Sequence, residues 1–304
     1  MSNTTHETML IHPDVQAALR AGRPIVALES ALITHGFAYP ASVEITQRMA
    51  AAIREGGALP AVIALWEGRP AIGLSDAHIE QLAADRTAVK VSVRDLPLMA
   101  HRALHGGTTV AATMLLAQRA GIQVFATGGI GGVHRGHPED ISADLPALAS
   151  TPLIVVCAGA KAILDLPRTL EFLETWGVPV LGWQTDCFPA FYSPTSALPI
   201  DQRVDEARAV AAIFHAQRTL GLPQGVLVTA PVPEAEGLPA AEVEPWIAQA
   251  LEEAAVQGIA GKAVTPYLLA RMVELSAGRT RRANEALLLN NARVAAQIAV
   301  ALSA

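Results

Sequence analysis

Apolar and polar positions along this chain follow two alternating rhythms. Short runs of Val, Ile, Leu and Ala bounded by Gly, Pro or polar residues mark buried strands. The longer stretches between them carry apolar residues three and four apart and mark amphipathic helices. RPIVALES (23–30) predicts a strand, and SVEITQRMAAAIREGG (42–57) a helix closed by its glycines. PAVIALWEGRPAIGLS (60–75) predicts a hairpin about Glu67 and Gly68. Next come helix DAHIEQLAAD, strand AVKVSVRD, helix TTVAATMLLAQRAG, strand IQVFAT and the loop GGIGGVHRGHPEDIS. Helix ADLPALAS, strand PLIVVCAG, helix AILDLPRTLEFLETWG and strand VPVLGW follow. Residues 184–199 read as a loop, and beyond it lie helix VDEARAVAAIFHAQRTLG, strand QGVLVTAPVP and two helices.

Strands and helices alternating at this spacing predict an α/β fold, a three-layer α/β/α arrangement around a mixed, largely parallel central sheet. The hairpin supplies the antiparallel pairing. With no linker, internal repeat or low-complexity stretch, residues 1–304 are expected to form a single domain.

Composition narrows the function classes. Hydrophobic residues make up 51% of the chain but aromatic ones only 4%, so the core should be aliphatic. A net charge of −6 argues against a nucleic-acid polymer as partner, because that binding needs clustered cations. Arg279, Arg281 and Arg282 form the densest basic cluster, enough for one phosphate and not for a groove. Cys157 and Cys187 lack ligand or disulfide spacing, which fits a reducing, cytoplasmic setting. The first 22 residues show no basic start or apolar signal core, and no stretch reaches the ~18 apolar residues of a spanning helix. A soluble, cytoplasmic protein without a membrane partner is expected.

The cations themselves are unevenly chosen: 19 are arginine and three are lysine, namely Lys90, Lys161 and Lys262. An arginine stays charged, whereas a lysine in an apolar setting can give up its proton and become a nucleophile or Schiff-base former. Lys161 stands directly after VVCAGA, with no opposite charge beside it. Lys262, in GIAGKAVTP, reads as a cap or surface residue and is assigned no role.

In α/β sheets ligands sit outside the carboxyl ends of the strands. Those positions hold Glu29, Ser30, Thr34 and His35 after the first strand, Lys90, Arg94 and Asp95 around AVKVSVRD, and Thr127, His134 and Arg135 after IQVFAT. TGGIGGVHRG can bring backbone N–H groups to an anion, although it matches neither the Walker nor the dinucleotide pattern, and a tight turn explains it equally well. Glu29 at a strand end is a candidate proton carrier. Asp140 and Asp144 flank Ser142; Ser142 reads best as a helix cap, and Asp140 as a ligand for a hard divalent ion.

Taken together, ALESALITHGFAYP (27–40), KVSVRDLP (90–97), GGTTVAATM (106–114), ATGGIGGVHRG (126–136), DISADL (140–145), the segment 155–186 and GKAVTPYLLARMVELSAG (261–278) resemble the pseudouridine-5′-phosphate glycosidase family, whose fold is called indigoidine synthase A-like. The resemblance covers nearly the whole chain. It implies a homotrimeric enzyme, using Mn2+ with Mg2+ or another divalent ion as substitutes, that reversibly converts pseudouridine 5′-phosphate and water to uracil and ribose 5-phosphate. By position it implies Lys161 as the imine-forming nucleophile, Glu29 as proton donor and acceptor, and Asp140 at the metal. Lys90, Val110, Ser142, Ala143 and Asp144 would line the substrate site, with Thr127, His134 and Arg135 near the phosphate and Asn284 facing the base. The chain departs from the family pattern in a slightly shorter 134–140 loop, in Ala230 where many members have asparagine, and in Pro194 where arginine is common. These departures leave room for the alternative of a synthase joining ribose 5-phosphate to another base or aromatic acceptor.

Overall fold

The computed structural model describes residues 9–304, the side chain of Lys262 excepted, so the start of the N-terminal segment and the reading of Lys262 lie outside the described residues. The strands are β1 Leu10–Ile11, β2 Ile25–Leu28, β3 Leu59–Trp66, β4 Arg69–Ile72, β5 Val89–Val91, β6 Gly106–Thr108, β7 Val124–Ala126, β8 Val133–His134, β9 His137–Ile141, β10 Ile154–Cys157, β11 Leu164–Asp165, β12 Val180–Trp183, β13 Gln202–Val204 and β14 Val226–Thr229. The α-helices are α1 Pro13–Arg20, α2 Ala41–Glu55, α3 Asp76–Ala84, α4 Leu96–Arg102, α5 Val110–Ala120, α6 Asp144–Ser150, α7 Leu166–Thr175, α8 Ala207–Thr219, α9 Ala240–Val256, α10 Val264–Leu275 and α11 Arg279–Leu302.

One sheet of 11 strands runs in the order β1-β4-β3-β2-β7-β10-β14-β12-β13, with β6 beside β3 and β5 beside β6. Its central strands β2, β7, β10 and β14 pair in parallel and are buried at every position. Helices covering both faces leave no polar side for such strands, which is why their sequences are unbroken apolar runs. β3 pairs antiparallel with β4 and β6. The β3–β4 hairpin turns at Glu67 (φ 48°) and Gly68 (φ 75°), the left-handed pair that a two-residue hairpin loop requires. One helical layer is α11 laid across β2, β7 and β10 with α2 and α8 against it; the other passes through α5, α6 and α7. The architecture is therefore three-layer α/β/α around a mixed, largely parallel sheet, as the alternation predicts.

Local differences cluster where elements are short. AVKVSVRD is a strand only over β5; Ser92 and Asp95 then form a capping box, with the Ser92 N–H donating to Asp95 Oδ2 at 2.9 Å, and helix α4 begins at once with Pro97 in its first turn. The segment expected to be a loop after β7 folds into a second, three-stranded sheet, β11-β8-β9. Lys161 leads into a turn and β11 before α7, not straight into a helix. The C-terminal region holds three α-helices where the pattern predicts two. Strands of two residues carry no readable periodicity, and their pairing is decided by the partner. No helix among the described residues is long and apolar enough to cross a membrane.

Candidate active site

Glu29, Thr127 and Lys161 follow β2, β7 and β10, three adjacent strands, so the sheet order brings them to one place beyond its carboxyl edge. All three line a cleft of ≈ 1010 Å³, measured to its open mouth. Lys90 lines it as well, so two of the chain's three lysines meet there although they are 71 positions apart by subtraction. His35 and His134 add ring nitrogens, and Leu32, Phe37, Phe191 and Leu288 supply apolar wall. The cleft thus combines two lysines, two carboxylates, Glu29 and Asp144, and an apolar wall.

Glu29 is half-buried, lines the cleft and accepts a short hydrogen bond from the Thr127 hydroxyl. Burial raises its pKa above the ordinary carboxylate value; Lys161 and the Thr127 bond pull it back, and the negative charge of Asp144 adds to the rise. Behind it a small cavity lined by Leu28, Met49, Ala126 and Leu288 gives the carboxylate little to solvate it. The ammonium of Lys161 donates to the Gly129 carbonyl at 2.7 Å. It therefore finds on the glycine loop a partner that its sequence neighbours lack, and its charge reaches Glu29 on the same floor.

That glycine loop is shaped from below. Asp144, buried at the start of α6, accepts from the Gly131 N–H at 2.7 Å with one oxygen and from the Ala111 N–H in the first turn of α5 at 2.9 Å with the other. A Cβ on Gly131 would run into the Ser142 side chain and lie 2.8 Å from Asp144 Oδ2, so only glycine lets the loop come this close. Ser142 accepts from the Asp144 N–H at 3.2 Å and lines the cleft, but the N-cap is Ala143 and has no side-chain cap bond, so Ser142 stands one residue before the cap position that its sequence context suggests. Asn291, buried on α11, donates to the Thr127 carbonyl at 2.8 Å and fixes the loop from the opposite side.

The structure gathers most of the sequence-derived candidates. Lys161, Glu29, Lys90, Val110, Thr127, His134, Ser142, Ala143, Asp144 and Asn284 all line the cleft. Arg135 and Asp140 are placed outside its lining. The Arg135 guanidinium donates to the Leu164 and Ala162 carbonyls at 3.0 and 2.8 Å and bidentately to Glu244 at 2.7 and 3.1 Å, so four of its donors face protein acceptors and not a phosphate. Asp140 is exposed on β9. Among the described residues no group of three or more His, Cys, Asp or Glu converges on a metal position. A closed protein cage does not fit this donor set. A hard ion that keeps most of its waters and takes one carboxylate does.

Several lining residues carry no role in a reading of the sequence. His35 stands among the strand-end polar residues there without an assignment; its Nδ1 lies 2.7 Å from the Thr34 hydroxyl, and burial followed by the Lys90 charge lowers its pKa. Thr265, Pro266 and Leu269 of α10 form a roof. Nothing local marks a roof helix, since its function is set by what it covers. Ser30 turns inward, donating to the Ile63 carbonyl at 2.6 Å. Cys157 is buried in the core, its thiol pushed up to about 12 by burial. Ala230 and Pro194 do not line the cleft.

Comparison with known proteins gives the chain's family. Residues 14–301 match the family model described as "Indigoidine synthase A like protein". A protein of Methylobacterium nodulans named pseudouridine-5′-phosphate glycosidase is 54% identical over 98% of this chain and 89% of its own. One of the same name from Symbiobacterium thermophilum is 51% identical over 96% and 97%. Among solved structures, the prealnumycin C-glycosynthase AlnA in complex with ribulose 5-phosphate superposes with a TM-score of 0.90 at 40% identity, covering 98% of this chain and 97% of that one. An indigoidine synthase A-like protein of Thermotoga maritima gives 0.90 at 34% identity over 98% of both.

Proposed function

The chain belongs to the indigoidine synthase A like family, and on that premise we propose that it is a pseudouridine-5′-phosphate glycosidase, reversibly cleaving the C–C bond between base and sugar to give uracil and ribose 5-phosphate. The observation that carries the reading is that Lys161 and Glu29, whose pKa burial raises, line the floor of one cleft.

A C–C glycosidic bond has no leaving oxygen to protonate, so the usual route of paired carboxylates is closed. In the proposed reaction the bond from C1′ to the ring oxygen opens and C1′ bonds to Lys161 Nζ. The nitrogen lone pair then closes C1′=N as the bond to the base breaks, and the base carbon takes a proton. Water hydrolyses the imine and frees Lys161 and ribose 5-phosphate. Glu29, whose burial keeps its proton on to higher pH, supplies and recovers protons, and Thr127 orients it. Lys90 and His134 meet the phosphate together with the edge formed by Val110, Ser142 and Ala143; Asn284 faces the base. Asp144 acts through the loop it holds, since both its oxygens already accept backbone N–H groups.

Asp140 would hold Mn2+, or Mg2+ in its place, through one carboxylate and waters, and the ion would supply positive charge there. Calorimetric titration with Mn2+ checks this: Asp140→Asn should weaken binding, and unchanged binding would discard the assignment. The resemblance also supports a homotrimer, which sedimentation tests. The AlnA likeness favours a second reading, synthesis on another acceptor, but at 40% identity it stands behind relatives at 54% and 51%.

Chromatography of uracil and ribose 5-phosphate released from pseudouridine 5′-phosphate, wild type beside Lys161→Ala, tests the main reading. Release by wild type alone is expected. A folded wild type that releases nothing, while joining ribose 5-phosphate to other acceptors, would replace it with the second reading.

A further inference from the structure

Lys161 sits in a turn held from both sides. On the inner side the Lys161 N–H donates to the Ile130 carbonyl at 3.1 Å and its ammonium to Gly129. On the outer side the carbonyls of Ala162 and Leu164 both accept from Arg135, which follows His134 of β8. The remaining reach of Arg135 goes to Glu244, on α9. Helix α9 packs against α10, whose Thr265, Pro266 and Leu269 roof the cleft, and Arg271 of α10 binds Glu253 of α9 at 2.5 and 2.9 Å. Among the described residues α10 touches the rest of the fold more sparsely, through α11 and the π-helical turn Leu32–Gly36. One guanidinium thus bridges the turn that carries the nucleophile and the helix pair that carries the roof.

From this bridge we propose that Arg135 and Glu244 form a latch coupling the α9–α10 roof to the Lys161 turn, with Arg135 a positioning residue that holds Lys161 aligned when the roof is down. The planar fork of arginine suits such a bridge, because it makes two bonds to carbonyls and a bidentate pair with a carboxylate at once, which a lysine cannot do. The Arg135 hydrogen bond and charge hold the Glu244 carboxyl below its usual range, in keeping with a pair made in the folded chain.

The proposal rests on the lysine chemistry above only for its kinetic arm, and the test separates the two. Glu244 is more than half exposed, so Glu244→Ala leaves the fold intact. In that variant amide hydrogen exchange should quicken in residues 264–270 and also in residues 161–165, by roughly fivefold or more, a coupling of ordinary size. Single-turnover trapping of the sugar imine with borohydride should slow by a similar factor, with KM for pseudouridine 5′-phosphate within about threefold. Arg135→Lys should reproduce the slowing, because it retains the charge and loses the fork. Faster exchange in the roof alone, or a trapping rate equal to wild type with KM raised, overturns the latch. If wild type yields no trapped imine at all, the glycosidase reading fails, and the exchange experiment still decides the latch.

Discussion

The floor and the roof of the cleft are built by different means. Glu29, Thr127 and Lys161 rise from adjacent buried strands, and the loop between them is held by Asp144, Asn291 and the Ile130 and Gly129 carbonyls. The roof residues lie on α10, which buries Leu268 and Met272 in the core and is tied to α9 by the partly exposed pair Arg271–Glu253, with α9 in turn tied to α11 by Arg279–Glu242. Hydrogen bonds to buried groups fix position to fractions of an ångström, whereas exposed ion pairs are weak and screened by salt. The difference teaches where precision is needed: a nucleophile and its proton donor must stay aligned, while a cover has to admit the substrate and release the products.

Changes on the floor and at the Arg135–Glu244 latch should therefore strike the rate, and changes in the roof residues that face the cleft should strike binding. Lys161→Arg carries the largest expected effect, because it keeps the positive charge and removes the nucleophile. Turnover and the borohydride-trapped adduct should both vanish while the circular dichroism spectrum is unchanged; activity above background would show that the charge alone suffices. Glu29→Gln should lower kcat by roughly 10² to 10⁴, the range for loss of a positioned proton carrier.

The same substitution has a pH signature. Since burial raises the Glu29 pKa, the folded chain holds that proton more tightly than the unfolded chain. The wild type is destabilised as pH rises through the raised value, and below the ordinary carboxylate range the difference disappears. Glu29→Gln should accordingly melt higher than wild type at alkaline pH and no higher in acid, and the fall in wild-type kcat with rising pH should be missing from the variant. A wild-type melting curve indifferent to pH would break the argument from burial.

Asp144→Ala should cost about 3 kcal/mol in chemical denaturation, because the Ala111 and Gly131 N–H groups lose their acceptor together. A loss below about 1 kcal/mol would mean the loop keeps its shape without that clamp. The smallest expected effect is in the roof: Leu269→Ala should raise KM by up to about tenfold with kcat nearly unchanged, as for a partly exposed apolar contact. A kcat loss larger than the KM change would move the roof into the class of the floor.

The sequence pattern and family resemblance anticipate most of the floor, while the roof's part in the cleft and the latch escape a reading of local signals. Lys161 is conspicuous in a chain that otherwise writes arginine, and Glu29 ends an apolar run, so both announce themselves locally. Arg135 belongs to a loop that looks made for an anion, yet its donors are taken by carbonyls 27 and 29 positions away and by a carboxylate 109 positions away. Asp144 reads as a flank of Ser142 and, by resemblance, as a residue of the substrate site, and it turns out to hold two backbone segments together.

What the sequence by itself determined is the alternation of buried parallel strands with covering helices, because periodicity and apolar burial are properties of consecutive residues. The strand order β2-β7-β10, which sets Glu29, Thr127 and Lys161 side by side, and the packing of α9 and α10 that gives Arg135 its partner were decided only by the tertiary structure. Those contacts join residues far apart in the chain, and their energy comes from the packing of the whole sheet and its helices, which no local stretch encodes.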